Sequence, residues 1–62
     1  MQRIIEGRDG ETLILTDLAK EYNVSDKYDS LAIVEIENSR GKLVARMICE
    51  KQQLKDAISQ LK

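Results

Sequence analysis

The sequence predicts an α+β fold in the order ββαββα, and three local patterns carry that expectation. Two apolar runs, Arg3-Ile4-Ile5 and Leu13-Ile14-Leu15, flank the turn-forming pair Asp9-Gly10. At Thr16-Asp17 the apolar spacing changes from that of a strand to that of a short helix. A second strand–turn–strand unit, from Leu31 to Cys49, then gives way near Lys51 to another helical spacing.

Asp9-Gly10 suits the two positive-φ positions of a type I′ hairpin. That turn predicts Arg8 opposite Glu11, Ile5 opposite Ile14 and Ile4 opposite Leu15. Neighbouring strand residues point to opposite faces, so both faces of this hairpin carry aliphatics and both need a cover. Thr16 is the predicted N-cap of the first helix, with Asp17 adding negative charge to its first turn. Leu18 and Tyr22, four apart, share its inner face, with Ala19 close by. Asn23 fits the left-handed residue that ends a helix, and Val24 the apolar residue packing back on it. Such a two-turn helix is unstable alone in water. The polar link at 25–30 leads into strands Leu31–Glu37 and Leu43–Cys49, joined through Gly41 as the left-handed residue. Ala32, Val34 and Ile36 line one face of the first of these, Leu31 and Ile33 the other. Its partner repeats the pattern, with Leu43, Ala45, Met47 and Cys49 against Val44 and Ile48. From Lys51 onward, Leu54, Ala57, Ile58 and Leu61 make one helical stripe.

A chain of 62 residues is one domain at most, and below roughly 70–80 residues one core seldom supplies more than ~3–5 kcal/mol. Small proteins make up the shortfall with disulfides, a metal or a partner chain. The single cysteine, Cys49, closes no internal disulfide, and without histidine a zinc site lacks its usual ligand set. Homodimerisation is the remaining route. One unpaired cysteine, the lack of a secretory leader and the lack of a long apolar run suggest a soluble, cytoplasmic protein that does not enter a membrane. A net charge of −1 departs from the basic balance of most nucleic-acid-binding domains.

The pattern offers little for catalysis. With no histidine, a general base must be a carboxylate, a lysine or the Cys49 thiolate. Glu35 and Glu37 share a strand face, and Asp26 and Asp29 share a loop, but neither pair has a nucleophile beside it. Cys49 reads as a small buried apolar residue. The expectation is a protein without enzymatic activity, cofactor or metal. Gly7-Arg8-Asp9-Gly10 matches the GxxG that clamps nucleic-acid backbone in KH domains, but here it joins strands instead of helices. Asp17–Ser25 looks like the first helix and bend of a helix-turn-helix. The second, base-reading helix does not follow, because Asp26–Ser30 is mostly polar and leads into a strand.

Gly10-Glu11-Thr12-Leu13-Ile14-Leu15-Thr16-Asp17-Leu18, continued to Tyr22-Asn23-Val24, resembles the signature of the AbrB/SpoVT swapped-hairpin family. There, Gly-Arg, an apolar strand and Pro precede a short helix ending Leu-Gly-Ile. The alignment on Gly10 needs no gap through Val24, and Asn23 takes the place of the left-handed glycine. The likeness continues through Asp29 and the strand–turn–strand to Ile48, with one extra residue near Tyr28, and covers roughly residues 2–48. It implies residues 1–49 as a swapped-hairpin domain, interleaved with a second copy into one β-barrel, and residues 50–62 as an added amphipathic helix. An intertwined dimer would cover both faces of strands that look over-apolar for a single chain, and neither chain need be stable alone.

Members of that family act as dimeric transition-state regulators or as antitoxins of the MazE type, and contact DNA through cations near the N-terminal loop and helix. The resemblance places Arg3, Arg8, Lys20 and Lys27 there. The family's arginine after the aligned glycine is Glu11 here, and its proline is Leu15. Acidic Asp9, Glu11, Asp17 and Glu21 are interspersed with the four cations. Leu54, Ile58 and Leu61 would meet the barrel, the twin helix or a partner protein. Two functions follow: a DNA-binding transcriptional regulator or antitoxin, and an acidic protein-binding inhibitor or adaptor that binds no DNA.

Overall fold

The computed structural model describes residues 2–24 and 26–61, Asp26 through its backbone alone. Ser25, within the predicted link, lies outside the described residues, as do the end residues of the two predicted segments, Met1 and Lys62. Four strands, β1 (Gln2–Glu6), β2 (Thr12–Asp17), β3 (Leu31–Glu37) and β4 (Leu43–Glu50), form one antiparallel sheet in sequence order. Helix α1 (Leu18–Tyr22) and a 3₁₀ turn (Asp26–Tyr28) connect β2 to β3, and helix α2 (Lys51–Ser59) follows β4 directly. The α+β class and the element order agree with the sequence reading.

The first hairpin differs from the predicted register by one residue. Ile4 lies opposite Ile14, Ile5 opposite Leu13 and Glu6 opposite Thr12. Asp9 keeps a negative φ, whereas Gly10 takes φ +90°, so the type I′ turn, which needs both residues left-handed, does not form. Gly7 instead donates its N–H to Glu11 O at 2.6 Å, and Gly10 N–H reaches Gly7 O at 3.4 Å. This is the three-residue loop in which a type I turn is followed by a left-handed residue. The loop at Asn38–Lys42 has the same pattern, with Gly41 at φ +80° as expected. There the Asn38 carboxamide oxygen also accepts the N–H groups of Arg40 and Lys42.

A one-residue slip moves side chains between faces; here it puts Ile5 with Leu13 and Leu15, and Ile4 and Glu6 with Ile14. Ile5, Leu13, Ile36 and Ala45 now form one row across all four strands, and Arg3, Leu15, Val34 and Met47 form the next. A third row on this face, Asp17–Ala32–Cys49, lies beneath α2. The opposite face carries Ile4, Ile14, Ile33 and Ile48 among polar and acidic residues, and α1 lies across part of it. A bulge at Ile36/Glu37 sets Leu43 opposite Glu37. Leu43 therefore does not continue the Ala45–Met47–Cys49 alternation that the sequence predicts.

Helix α1 is capped by Asp17, whose carboxylate accepts the Lys20 N–H at 3.2 Å, and not by Thr16. Thr16 is still within the β2 ladder, opposite Ile33, where a β-branched residue is favoured. Asn23 closes the helix at φ 51°, ψ 45°, as the sequence predicts. Ala19, at 5% exposure, takes the inner position expected of Tyr22, which is 56% exposed. A helix this close to a sheet accommodates a methyl group, and the tyrosine keeps its polar tip at the margin. Val24, too, is exposed.

The chain buries little. Ala19, Ala32 and Ile33 are the buried apolar residues among those described. The radius of gyration is 12.6 Å and the shortest axis 16 Å, against about 10.6 Å for the radius of a compact domain of this length. The molecule is a slab one sheet thick with a helix on part of each face.

Candidate binding surfaces

On the α2 side, Arg3, Lys20 and Lys51 surround an open pocket of about 310 Å³ floored by Leu15, Ala32 and Leu54. Asp17 is at its centre. Its Oδ2 accepts from Lys51 Nζ at 2.8 Å, and its other oxygen caps α1, so one carboxylate ties both helices to the end of β2. The bond from Lys51, with the Lys20 backbone N–H second, holds the Asp17 carboxyl below the usual carboxylate range. A folded-state value below the unfolded one stabilises the fold above the ordinary carboxylate pKa, and this contribution is lost as pH falls through the lowered value. Acidification through that lowered value, below the ordinary carboxylate pKa of about 4, is therefore expected to release α2 from β2. This would be read as loss of the Lys51–Leu54 amide shifts, and Lys51→Met should remove that acid step.

Of the four cations expected at a DNA interface, the fold gathers two. Arg3 and Lys20 line the same pocket. Arg8 is in the β1–β2 loop, at the far end of the first hairpin from Arg3. Lys27 is on the 3₁₀ turn, its Nζ 5.0 Å from the ring centroid of Tyr28. Lys51, which completes the cluster, escaped the sequence reading because its partner Asp17 is 34 positions away and no local pattern links them.

The predicted stripe of α2 divides. Leu54 is half-buried against the pocket, whereas Ile58 and Leu61 are 69% and 79% exposed. The stripe expected to pack on a surface does so within this chain only at its first turn. Cys49 is half-buried in the row beneath α2.

The α1 side has a different character. Glu6, Glu35, Glu37 and Glu50 share this face with Arg46. Ile4 and Ile48 stand among them at 60% and 47% exposure. Arg46 Nε is 3.7 Å from Glu35 Oε2, and its Nη2 reaches the Tyr22 hydroxyl at 3.4 Å. An exposed ion pair of this length contributes about 0–1 kcal/mol. Beside it, a polar recess of about 200 Å³ is bounded by Gln2, Glu21, Tyr22, Glu35 and Arg46, with Thr16 and Ile33 at its base. Thr16 Oγ1 is buried there without a hydrogen-bond partner among the described residues.

Among the described residues, no three His, Cys, Asp or Glu side chains come together as a metal-ligand set. Among them, no helix is long and apolar enough to cross a membrane. Comparison with protein-family models, with curated proteins and with solved structures returns no match.

Proposed function

We propose that this chain is the subunit of a small AbrB-like homodimer in which each chain keeps its own four-stranded sheet, and that it acts by binding a protein partner through the acidic α1 face, without catalysing a reaction. The observation that carries this reading is the composition of that face: four glutamates against one arginine, with Ile4 exposed on one edge strand and Ile48 on the other. Like-signed charge steers an oppositely charged surface into contact, and aliphatic anchors among polar groups supply the contact area. The complementary partner is a protein with a basic rim around an apolar patch. In about 0.15 M salt, where exposed charges are screened beyond ~8 Å, the wild-type chain should retain one protein at stoichiometric yield. The Glu6→Lys/Glu37→Lys variant should lose it. Equal retention of the same protein by both chains would remove the acidic face from the site.

A second reading, a DNA-binding regulator or antitoxin, is favoured by the convergence of Arg3, Lys20 and Lys51 on one pocket, doubled in a dimer. A duplex of random sequence should then bind with an affinity that falls steeply between about 50 and 200 mM salt. Arg3→Ala and Lys20→Ala should weaken it uniformly across sequences. No binding at about 50 mM salt would exclude this second reading.

A further inference from the structure

We infer that the α2 face of the sheet is the inner surface of the homodimer, covered by the same face of a second copy, with Ile58 and Leu61 of α2 extending the contact at its border. The inference rests on the homodimer proposed above and assigns the surface it uses.

Surface area is the first argument. The chain exposes 5184 Å², whereas a self-sufficient folded protein of 7.1 kDa exposes about 4,100 Å² by the size scaling of monomers. The excess, roughly 1,100 Å², is of the order that a standard interface removes from each partner, about 800 Å². One further copy of this chain is enough to absorb it.

Charge selects the face. The two rows beside α2 contain Ile5, Leu13, Leu15, Val34, Ile36 and Met47; their one ionisable side chain is Arg3, on the edge strand where it can stay at a wet rim, and Glu11 borders them at the loop end of the face. Ile5 and Met47 are 54% and 58% exposed, and even Val34 and Ile36, in a central strand, are only half-buried. Stacking the opposite faces would instead bring Glu6, Glu37 and Glu50, beside the single Arg46–Glu35 pair, against their own copies, and desolvating that excess of negative charge is costly. Two aliphatic faces packed about 10 Å apart bury no charge at their centre.

Identity of the occupant follows from how little one chain buries. No side chain is completely buried, and the buried apolar set is two alanines and one isoleucine among the described residues. A cover so necessary must be present whenever the chain folds, which its own copy always is. A two-fold axis through the Val34–Ile36 region makes the patch its own complement, the commonest arrangement of soluble oligomers.

Sedimentation equilibrium from about 1 to 100 µM, together with methyl NOEs in a dimer mixed from labelled and unlabelled chains, tests this. The wild type should sediment as a dimer, with intermolecular NOEs from Leu13, Val34, Ile36 and Met47. Ile36→Lys should raise the dissociation constant on the order of a hundredfold, since two lysines would enter a dry interface. Thr12→Lys, on the other face, should leave it unchanged. A folded monomer at every concentration would overturn the dimer itself and this assignment with it. A dimer whose intermolecular NOEs arise from Ile4, Ile14 and Ile48 would overturn the assignment alone. The NOE pattern is read on the wild-type chain, so the outcome does not depend on whether Ile36→Lys folds.

Discussion

Ile33→Ala should lower stability by about 2–5 kcal/mol and leave much of the chain unfolded at room temperature. Ile33 is 3% exposed, at the centre of β3, between Thr16 and Ile48 and beneath α1. It is the largest of the three buried apolar residues, so no neighbouring core residue can move in to fill the space it vacates. A domain of this size holds only ~3–5 kcal/mol in total, so the loss is comparable to the whole. Ile33→Val, which removes one methylene, should cost about 0.5–1.5 kcal/mol and stay folded. Urea titration followed by far-UV circular dichroism reads both. A cost below about 1 kcal/mol for the alanine variant would mean that the centre of the fold is elsewhere.

Gly10→Ala should be the more damaging of two substitutions in loops with the same hydrogen-bond pattern. Both glycines are left-handed, Gly10 at φ +90° and Gly41 at φ +80°, and a side chain there costs roughly 1–2 kcal/mol. They differ in their surroundings. A Cβ at Gly10 would stand 3.2 Å from the Cβ of Ser39 in the adjacent loop, whereas one at Gly41 meets nothing within 4 Å. Gly41→Ala therefore reports backbone strain alone, and Gly10→Ala reports strain plus crowding between the loops. Ser39→Gly should relieve the second part without touching the first, and a double-mutant cycle isolates it. Equal costs at the two glycines would show that the loops yield freely to one another.

The elements were legible in this sequence because each is announced by a short-range signal. The switch of spacing at Thr16-Asp17, Asn23 as a left-handed stop, Gly41 in the second hairpin and the change near Lys51 all act over a few residues, and all appear in the fold. The first hairpin's register was not legible. Asp9-Gly10 serves a two-residue turn and a three-residue loop equally well, since both accept glycine at the left-handed position. The negative φ of Asp9 and the hydrogen bond from Gly7 to Glu11 separate them. The N-cap was misplaced for a related reason. Thr16 and Asp17 are both good caps and both pair with β3; the Lys20 N–H bond to the Asp17 carboxylate, visible only in the folded chain, separates them.

The candidate surfaces divide along the same line. Which residues carry charge or exposed apolar bulk could be read directly, but their assembly depends on contacts distant in sequence. Arg3 and Lys20 come together with Lys51 because β1 pairs with β2 and because α2 folds back onto Asp17. Arg8, close to Arg3 in the chain, is carried away along an extended strand. The glutamates of the α1 face come from three strands, and alternation predicts their shared side only once the register is known. Their gathering was visible before the structure only for Glu35 and Glu37, two apart on one strand.

The irregularity between β3 and β4 bears on how such a sheet avoids runaway assembly. β4 is an outermost strand eight residues long, and a long straight border invites another chain to zip alongside and template a fibre. The extra residue near Val44 breaks the even spacing of the outward-facing amide and carbonyl groups and bends the ribbon there. An incoming strand that matched the stretch after the kink would fall out of step before it. Growth by lateral addition would stall at the first copy, and stacking face to face would remain the open route.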